Sequence, residues 1–467
     1  MSRWREQLYQ HLPVLAQNAA CSWHGRGQRR RRFGDEFRRL LDWLDESQWW
    51  STQQIQDYQV QQLSQLLDSA YNNVPYYRRM FDRLDLKPSD IESLEDLPKL
   101  PTLTKEDVRQ HMDALVSERV ARSELVFHHT SGSTGKSLQF YVEPRAIQFR
   151  WAVWWRHRRR FGVQFDEPYA TFTGLAAVPL TQSRPPYWRE NWPMHQTIFT
   201  MHHITPEKVA DIVRRLNQGG FAYYAGYPSV LSALALLMSE QHLEVTRPPR
   251  IIFTGAESLY DEQRALLSRV FRCPVTDQYG FSEGCGNASR CPADVYHEDF
   301  EYGILECGDV ERVDEVSRRG KVIATGFAGC GMPFIRYDVG DVATWSSAEC
   351  TCGRHAKVIT RVDGRVEDVV LTPEGGRITR FDYVFKDTHN VREAQVVQKA
   401  LGSICLRIVR RPAYSAKDEQ RIREEVALRV SAALGVEFEY VDEIERESSG
   451  KFRAVKSLLT EMSRGTE

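Results

Sequence analysis

The densest set of chemically useful residues is His128-His-Thr-Ser-Gly-Ser-Thr-Gly-Lys-Ser137. Ser131, Ser133 and Thr134 bring hydroxyl donors, Gly132 and Gly135 let the backbone approach a ligand closely, and Lys136 adds a cation. Donors and a cation at this density suit a phosphate. The stretch looks like a Walker A loop but departs from one, because the position that should hold the first glycine is Thr130. A Walker lysine also opens a helix, whereas Leu138-Gln-Phe-Tyr-Val142 has the β-branched and aromatic character of a strand. The loop is therefore expected between two strands, Glu124–His129 and Ser137–Val142. Its plain alternative is a polar hairpin turn.

A second cluster is Cys291-Pro-Ala-Asp-Val-Tyr-His297 together with Cys350-Thr-Cys352. Three thiols and an imidazole suit tetrahedral Zn²⁺ with no open position, and hence a structural role. Cys285 is an alternative to His297, and separate reduced cysteines are the plain reading. The chain has nine cysteines, an odd number. Their crowding between Cys273 and Cys352 fits a reducing compartment better than a disulfide framework.

These residues sit in a chain of 467 residues with 42% apolar composition, enough to bury several cores. Its 62 basic and 63 acidic residues nearly cancel, so there is no electrostatic footprint for nucleic acid or an anionic membrane. The local exception, Arg26-Gly-Gln-Arg-Arg-Arg-Arg32, is followed by Asp35, Glu36, Asp42 and Asp45 and reads as a solvated helix face. No apolar run approaches the roughly 18 residues needed to span a bilayer. The N-terminal residues lack the apolar centre of a signal peptide, so a cytoplasmic protein is expected.

The first hundred residues read as helical, with prolines in "NNVPYYRR" and "LPKLPTLTKEDV" breaking the pattern. From Glu124 strand-like and helix-like segments alternate, as in "FAYYAGYPSVLSALALLM" and "RIIFTGAESLYDEQRALLSRVF", which argues for α/β layers with parallel strands. "YGILEC", "KVIATGF" and "DVATW" are short strands between Gly303 and Trp345 and suggest a smaller β subdomain. A shift near Arg365 divides residues 1–364 from a compact α+β unit over 365–467.

The motifs Thr130-Ser-Gly-Ser-Thr-Gly-Lys136, Gly226-Tyr-Pro-Ser229, Gly255-Ala-Glu257, Tyr279-Gly-Phe-Ser-Glu283, Arg336-Tyr-Asp-Val-Gly-Asp341, Gly364-Arg-Val-Glu-Asp368 and Ser448-Ser-Gly-Lys451 follow one another along the chain. In this order they resemble the adenylate-forming enzymes. The branch most similar is the phenylacetate–coenzyme A ligase-like group, including relatives associated with capsular polysaccharide biosynthesis. Any one motif is weak, but seven in order between about residues 70 and 455 are specific.

The resemblance implies an α/β fold: a large N-terminal adenylate-forming domain of layered sheets and helices plus a β subdomain, followed by a small mobile α+β C-terminal domain. It implies ATP, Mg²⁺ and coenzyme A as cofactors, with structural Zn²⁺ on Cys291, His297, Cys350 and Cys352. Lys136, Glu283 and Lys451 would be catalytic, Glu283 by holding Mg²⁺. Thr130, Ser131, Gly132, Ser133, Thr134 and Gly135 would cradle phosphate. Gly255, Ala256 and Glu257 would line the adenine, beside Tyr279 and Gly280. Asp341 would accept the ribose hydroxyls, and Arg365 would reach the ribose or the phosphate. Glu367 stands at the hinge where many relatives carry Asp. Tyr223, Tyr224 and Tyr227 would suit an aryl or hydrophobic acid, with aromatic core packing as their alternative.

The expected reaction joins a small carboxylic acid to AMP, releases pyrophosphate and passes the acyl group to coenzyme A. "LTPEGGRITR" resembles the capsule-associated relatives more than the phenylacetate ligases, which leaves an amine, a sugar hydroxyl or a carrier-protein thiol open as acceptor. A non-catalytic nucleotide-binding partner protein is the reading from a different class, and a homodimer is open.

Overall fold

The computed structural model describes residues 8–129, 138–174, 177–365, 370–373, 377–378, 381, 384–385, 388, 390–446 and 452–459. The chain opens with helices α1 (Val14–Arg32), α2 (Asp35–Ser47) and α3 (Thr52–Asn73). In α2 the buried Phe37, Leu40, Leu41 and Leu44 recur at the spacing of one helix face. Ser51 starts α3 with a reciprocal cap: its hydroxyl accepts the Gln54 N–H at 3.3 Å and the Gln54 amide accepts the Ser51 N–H at 3.0 Å. The arginines ending α1 are mostly a surface feature, as expected. Arg30 and Arg31 are exposed, Arg29 pairs with Asp166 at 2.5 Å, and Arg32 lies 4.2 Å from the Trp151 ring centre.

Strands β1 (Val126–His129) and β2 (Gln139–Val142) pair antiparallel, with His129 opposite Gln139. The strands expected around the hydroxyl-rich loop are present; residues 130–137 themselves lie outside the described residues. Helix α4 (Pro144–Arg159) follows.

Next come β3 (Tyr169–Thr173), β4 (Trp188–Asn191), β5 (Gln196–Thr200), β6 (Tyr223–Gly226), helix α5 (Pro228–Glu240), β7 (Ile251–Gly255), helix α6 (Asp261–Phe271) and β8 (Val275–Gly280). The order β5-β3-β6-β7-β8 is parallel throughout, with β4 antiparallel on its edge. Strands β9 (Asn287–Arg290), β10 (Tyr296–Glu298), β11 (Gly303–Arg312), β12 (Ser317–Gly326), β13 (Tyr337–Ser346) and β14 (Val358–Arg365) are antiparallel. They continue the parallel strands through β8 and β9, so the β-rich region and the α/β region share one twelve-stranded sheet.

Strand alternation sends neighbouring tyrosines of β6 to opposite faces. Tyr223 stacks on Tyr169 at 4.8 Å and meets Phe253 edge-on, in the core that holds α4; Tyr224 meets Phe172 and Phe271 in the core that holds α5 and α6. At 1% and 0% exposure both pack in the core. Tyr227, beyond the strand, is half-buried.

Near the C-terminus a second sheet has the order β19-β18-β17-β20, formed by β17 (Val391–Ala400), β18 (Ser403–Arg410), β19 (Gly435–Tyr440) and β20 (Val455–Ser457); β15 (Val370–Leu371) and β16 (Arg377–Ile378) pair beside it. Helix α7 (Ala416–Arg429) drops Ile422 and Val426, four residues apart, into a cluster with Leu406, Ile408 and Val455. This cluster is separate from the two that flank the large sheet. Among the described residues no helix is long and apolar enough to cross a membrane.

Candidate functional site

Three glycine-bearing turns lie side by side at the carboxyl ends of adjacent parallel strands. Gly226 ends β6, Gly255 ends β7 and Gly280 ends β8, with Gly226 opposite Thr254 and Gly255 opposite Gln278. Open α/β sheets offer their ligand crevices at this end of the strands. Gly226 is required there because a Cβ would meet the Phe172 carbonyl oxygen at 2.5 Å. Pro228 then takes the first position of α5, where its fixed φ and missing N–H cost nothing.

The turn after β8 carries Glu283 and is held from two sides. Tyr337, the first residue of β13, donates its hydroxyl to Glu283 Oε1 at 2.7 Å, and Tyr279 donates to Asp341 Oδ2 at 2.7 Å. Each motif thus supplies the donor for the other's carboxylate. Burial, with the charge of Asp341 beside it, pushes the Tyr279 hydroxyl well above its ordinary range and keeps its proton in place. From α4, Arg150 donates to the Ser282 carbonyl at 3.1 Å. Gly284 adopts φ +73, a backbone conformation that favours glycine, and a Cβ there would lie 2.4 Å from the Arg150 guanidinium, which would have to move.

Asp341 lies opposite Arg365 in the β13–β14 ladder, of which only the backbone of Arg365 is described. Gly340 N–H reaches back to Asp338 Oδ1 at 2.9 Å and takes φ +81, which forms the bend before Asp341. Thr130, Ser131, Gly132, Ser133, Thr134, Gly135, Lys136, Glu367 and Lys451 lie outside the described residues.

Glu257, two residues beyond β7, turns its carboxylate towards α5 and the C-terminal segment. Oε2 accepts the Ser229 N–H at 3.1 Å, while Oε1 accepts the Ser229 hydroxyl at 3.1 Å and the Phe452 N–H at 2.7 Å. Burial raises the carboxyl above its ordinary pKa, and the donors at Phe452 and Ser229 oppose that rise. Ala256, between Gly255 and Glu257, takes φ +67.

The cysteine and histidine set converges. The ligand atoms of Cys291, His297, Cys350 and Cys352 all lie within 4.8 Å of one another. Cys291 Sγ is 3.7 Å from Cys350 Sγ, and Cys352 Sγ is 3.2 Å from His297 Nε2. A tetrahedron with Zn–S bonds of about 2.3 Å has sulfur–sulfur edges of roughly 3.8 Å. His297 Nδ1 lies 3.0 Å from the Ala356 carbonyl and can donate to it, which leaves Nε2 as the free ligand atom. Burial holds this imidazole neutral, its pKa pushed down to about 4. Cys285, the other candidate for the fourth place, packs instead in the core against the backbone of Gly303 and Gly326.

The CapK C-terminal domain family matches residues 370–458. Protein CapK of Staphylococcus aureus is 24% identical over 455 residues, covering 96% of this chain and 98% of that protein. The phenylacetate-coenzyme A ligase of Escherichia coli (strain K12) is 26% identical over 347 residues, covering 70% of this chain and 75% of the ligase. Among solved structures, 2-hydroxyisobutyryl-CoA ligase in its postadenylation state superposes with a TM-score of 0.69 at 19% identity, over 90% of this chain and 95% of that one.

These likenesses support an assignment to the adenylate-forming superfamily, on its phenylacetate–coenzyme A ligase-like branch near CapK.

Three contributors to the site carry no signal as site residues in the sequence. Tyr337 sits inside a motif whose carboxylate draws the attention. Arg150 lies on a helix that reads as ordinary packing. The Phe452 amide is backbone, 195 residues from the carboxylate it meets. The spacing of Tyr279 and Tyr337 around Glu283 and Asp341 becomes informative only when the two motifs are placed on facing turns.

Proposed function

We propose that this adenylate-forming protein is an ATP-dependent acid–thiol ligase. The observation that supports the reading most is the meeting of Glu283 and Asp341, tied reciprocally through Tyr337 and Tyr279, beside the carboxyl ends of β6, β7 and β8. In the first step a carboxylate oxygen of the acid attacks the α-phosphorus of ATP, and the bond to the bridging oxygen breaks as pyrophosphate leaves with the electron pair. In the second, the thiol sulfur of coenzyme A attacks the acyl carbon, AMP leaves with its electron pair, and the thiol proton passes to solvent.

Glu283 Oε1 is held by Tyr337, and Oε2 accepts no hydrogen bond among the described residues, so one hard oxygen remains for Mg²⁺. Bound there, the ion would neutralise phosphate charge. Asp341 accepts the ribose hydroxyls, with Arg365 on the same ladder rung. Gly255 and Ala256 line the adenine, the loop 130–136 cradles phosphate, and Lys451 offsets charge that develops as pyrophosphate departs. Tyr227 remains the candidate for the acid pocket. Zn²⁺ on Cys291, His297, Cys350 and Cys352 ties the end of β9 to the β13–β14 turn and has no part in the steps.

A second reading keeps adenylation but changes the acceptor to an amine, a sugar hydroxyl or a carrier-protein thiol. Likeness to CapK runs over 96% of the chain and likeness to the phenylacetate ligase over 70%, so the acceptor is not carried over from the ligase. Pyrophosphate release and thioester formation, followed together across a panel of carboxylic acids with and without coenzyme A, test both. Release with thioester supports the ligase, and release without it supports the other acceptor. Silence towards every acid would leave a nucleotide-binding protein.

A further inference from the structure

We propose that the outward face of α1 is a docking surface for a bilayer that carries anionic phospholipid. Leu15, Ala19, Trp23, Arg26 and Arg30 follow one another along α1 at the three- and four-residue spacing of a single helix stripe. At 75% and 81% exposure, Leu15 and Trp23 are the most exposed large apolar side chains among the described residues. Trp192, in the turn after β4, stands beside them: its N–H donates to the Ser22 hydroxyl at 3.1 Å, and its side chain too is exposed.

Folding uses the opposite face of α1. Asn18 Oδ1 accepts the Glu190 N–H at 3.0 Å, Gln17 Oε1 accepts from Arg189 Nε at 2.6 Å, and a Cβ on Gly25 would lie 1.9 Å from Asn191 Oδ1. This packing on β4 gives no reason for a leucine and two tryptophans to stand in water, and exposed apolar groups gathered in one place mark an interaction surface.

The same face is positively charged at its C-terminal end. α1 contains no Asp or Glu, and Arg26, Arg30 and Arg31 are exposed with no ion pair among the described residues. The acids that follow in the chain are engaged by other arginines: Asp35 lies 3.5 Å from Arg38, Glu36 2.9 Å from Arg145 and Asp42 3.3 Å from Arg159, which also pairs with Asp45. The near balance of charge over the whole chain therefore hides a local excess beside the apolar groups.

Guanidinium groups and apolar side chains on one helix face match the headgroup layer of an anionic bilayer, which is negative at its surface and apolar just beneath, and where tryptophan rings are at home. A soluble polyanion would engage the arginines and leave Leu15 and Trp23 in water. A second copy of the chain would bring the same arginines and, on this face, no carboxylate to meet them. The docking requires no substrate and is independent of the adenylation reading.

The test is flotation of the full chain with vesicles. Vesicles of equal parts phosphatidylglycerol and phosphatidylcholine should carry the protein with them, vesicles of phosphatidylcholine alone should leave it behind, and added salt should release it. An arginine near an anionic surface contributes about fivefold in binding, so Arg26→Gln, Arg30→Gln and Arg31→Gln combined should weaken it about 100-fold. Trp23→Ser should weaken it about 10-fold without any change of charge, which separates seating of this face from general electrostatic attraction. All four side chains are exposed, so the variants should unfold at the parent's denaturant concentration. A parent protein left behind by the anionic vesicles, equal binding to both kinds of vesicle, or variants that float like the parent would overturn the proposal. A dimer formed without vesicles and lost in Trp23→Ser, measured by analytical ultracentrifugation, would assign the face to a second copy and overturn it as well.

Discussion

The hydroxyl of Tyr337 lies 2.7 Å from Oε1 of Glu283, although the two residues are 54 positions apart. A phenol donating to one oxygen of a carboxylate fixes the plane of the group and leaves the second oxygen for another partner. The matching bond from Tyr279 to Asp341, also 2.7 Å, means that the turn after β8 and the bend in β13 orient each other's acids.

Removing that donor should be felt as a weakened grip on the metal. Tyr337→Phe is expected to raise the Mg²⁺ concentration for half-maximal pyrophosphate release and to slow release about 10-fold at limiting Mg²⁺. Glu283→Gln is expected to lose most release at any Mg²⁺ concentration, because a neutral amide is a poor ligand for a hard cation. A Mg²⁺ titration of the three proteins checks the order; parent-like behaviour of Glu283→Gln would remove Glu283 from the site.

Protein purified without chelators is expected to carry about one zinc per chain, held by the four atoms that lie within 4.8 Å of one another. Cys352→Ser should lose the metal and melt at a lower temperature, since a closed structural site adds its binding free energy to the folded state. Elemental analysis that finds no zinc in the parent protein would reject the centre.

Burial pushes the imidazole of His157 down to about 3, with the charges of Arg160 and Arg158 adding and that of Asp299 opposing. Its folded pKa is below the unfolded value, so the fold holds it neutral. The stability this provides is complete above about pH 6.5 and is lost as pH falls towards 3, by at most about 1.4 kcal/mol per pH unit. His157→Asn should therefore lose less stability than the parent between pH 6.5 and 5 in denaturant unfolding. Parallel losses would show that the imidazole does not titrate on unfolding.

Much of the site could be read from the sequence because its parts are local. A glycine directly after a β-rich run marks a strand end, and Gly226, Gly255 and Gly280 all prove to be such ends. The metal set was legible because the thiol and imidazole types are few, but choosing His297 over Cys285 required knowing that Cys285 faces the core. Tyr223 and Tyr224 read as pocket or core alike, since composition does not say which residues pass the strand end and which alternate into the layers beside it. The antiparallel strands were recognisable one by one. Their continuity with the parallel ones depends on the β8–β9 pairing, a non-local hydrogen-bond ladder that leaves no trace in periodicity. The same holds for Arg150 on Ser282 and Phe452 on Glu257.

On the proposed function, the strand ends of the large sheet and Lys451 together perform adenylation. Exchange of labelled pyrophosphate into ATP reports that half-reaction without knowledge of the acceptor, so it is the most direct measurement, made on the parent protein and on Lys451→Ala. The expected result is exchange that requires one acid or a narrow group of acids, is indifferent to coenzyme A, and falls about 10²- to 10³-fold in Lys451→Ala, the usual effect of removing a group that stabilises developing charge. Exchange with no acid added, no exchange with any acid, or undiminished exchange in Lys451→Ala would contradict it.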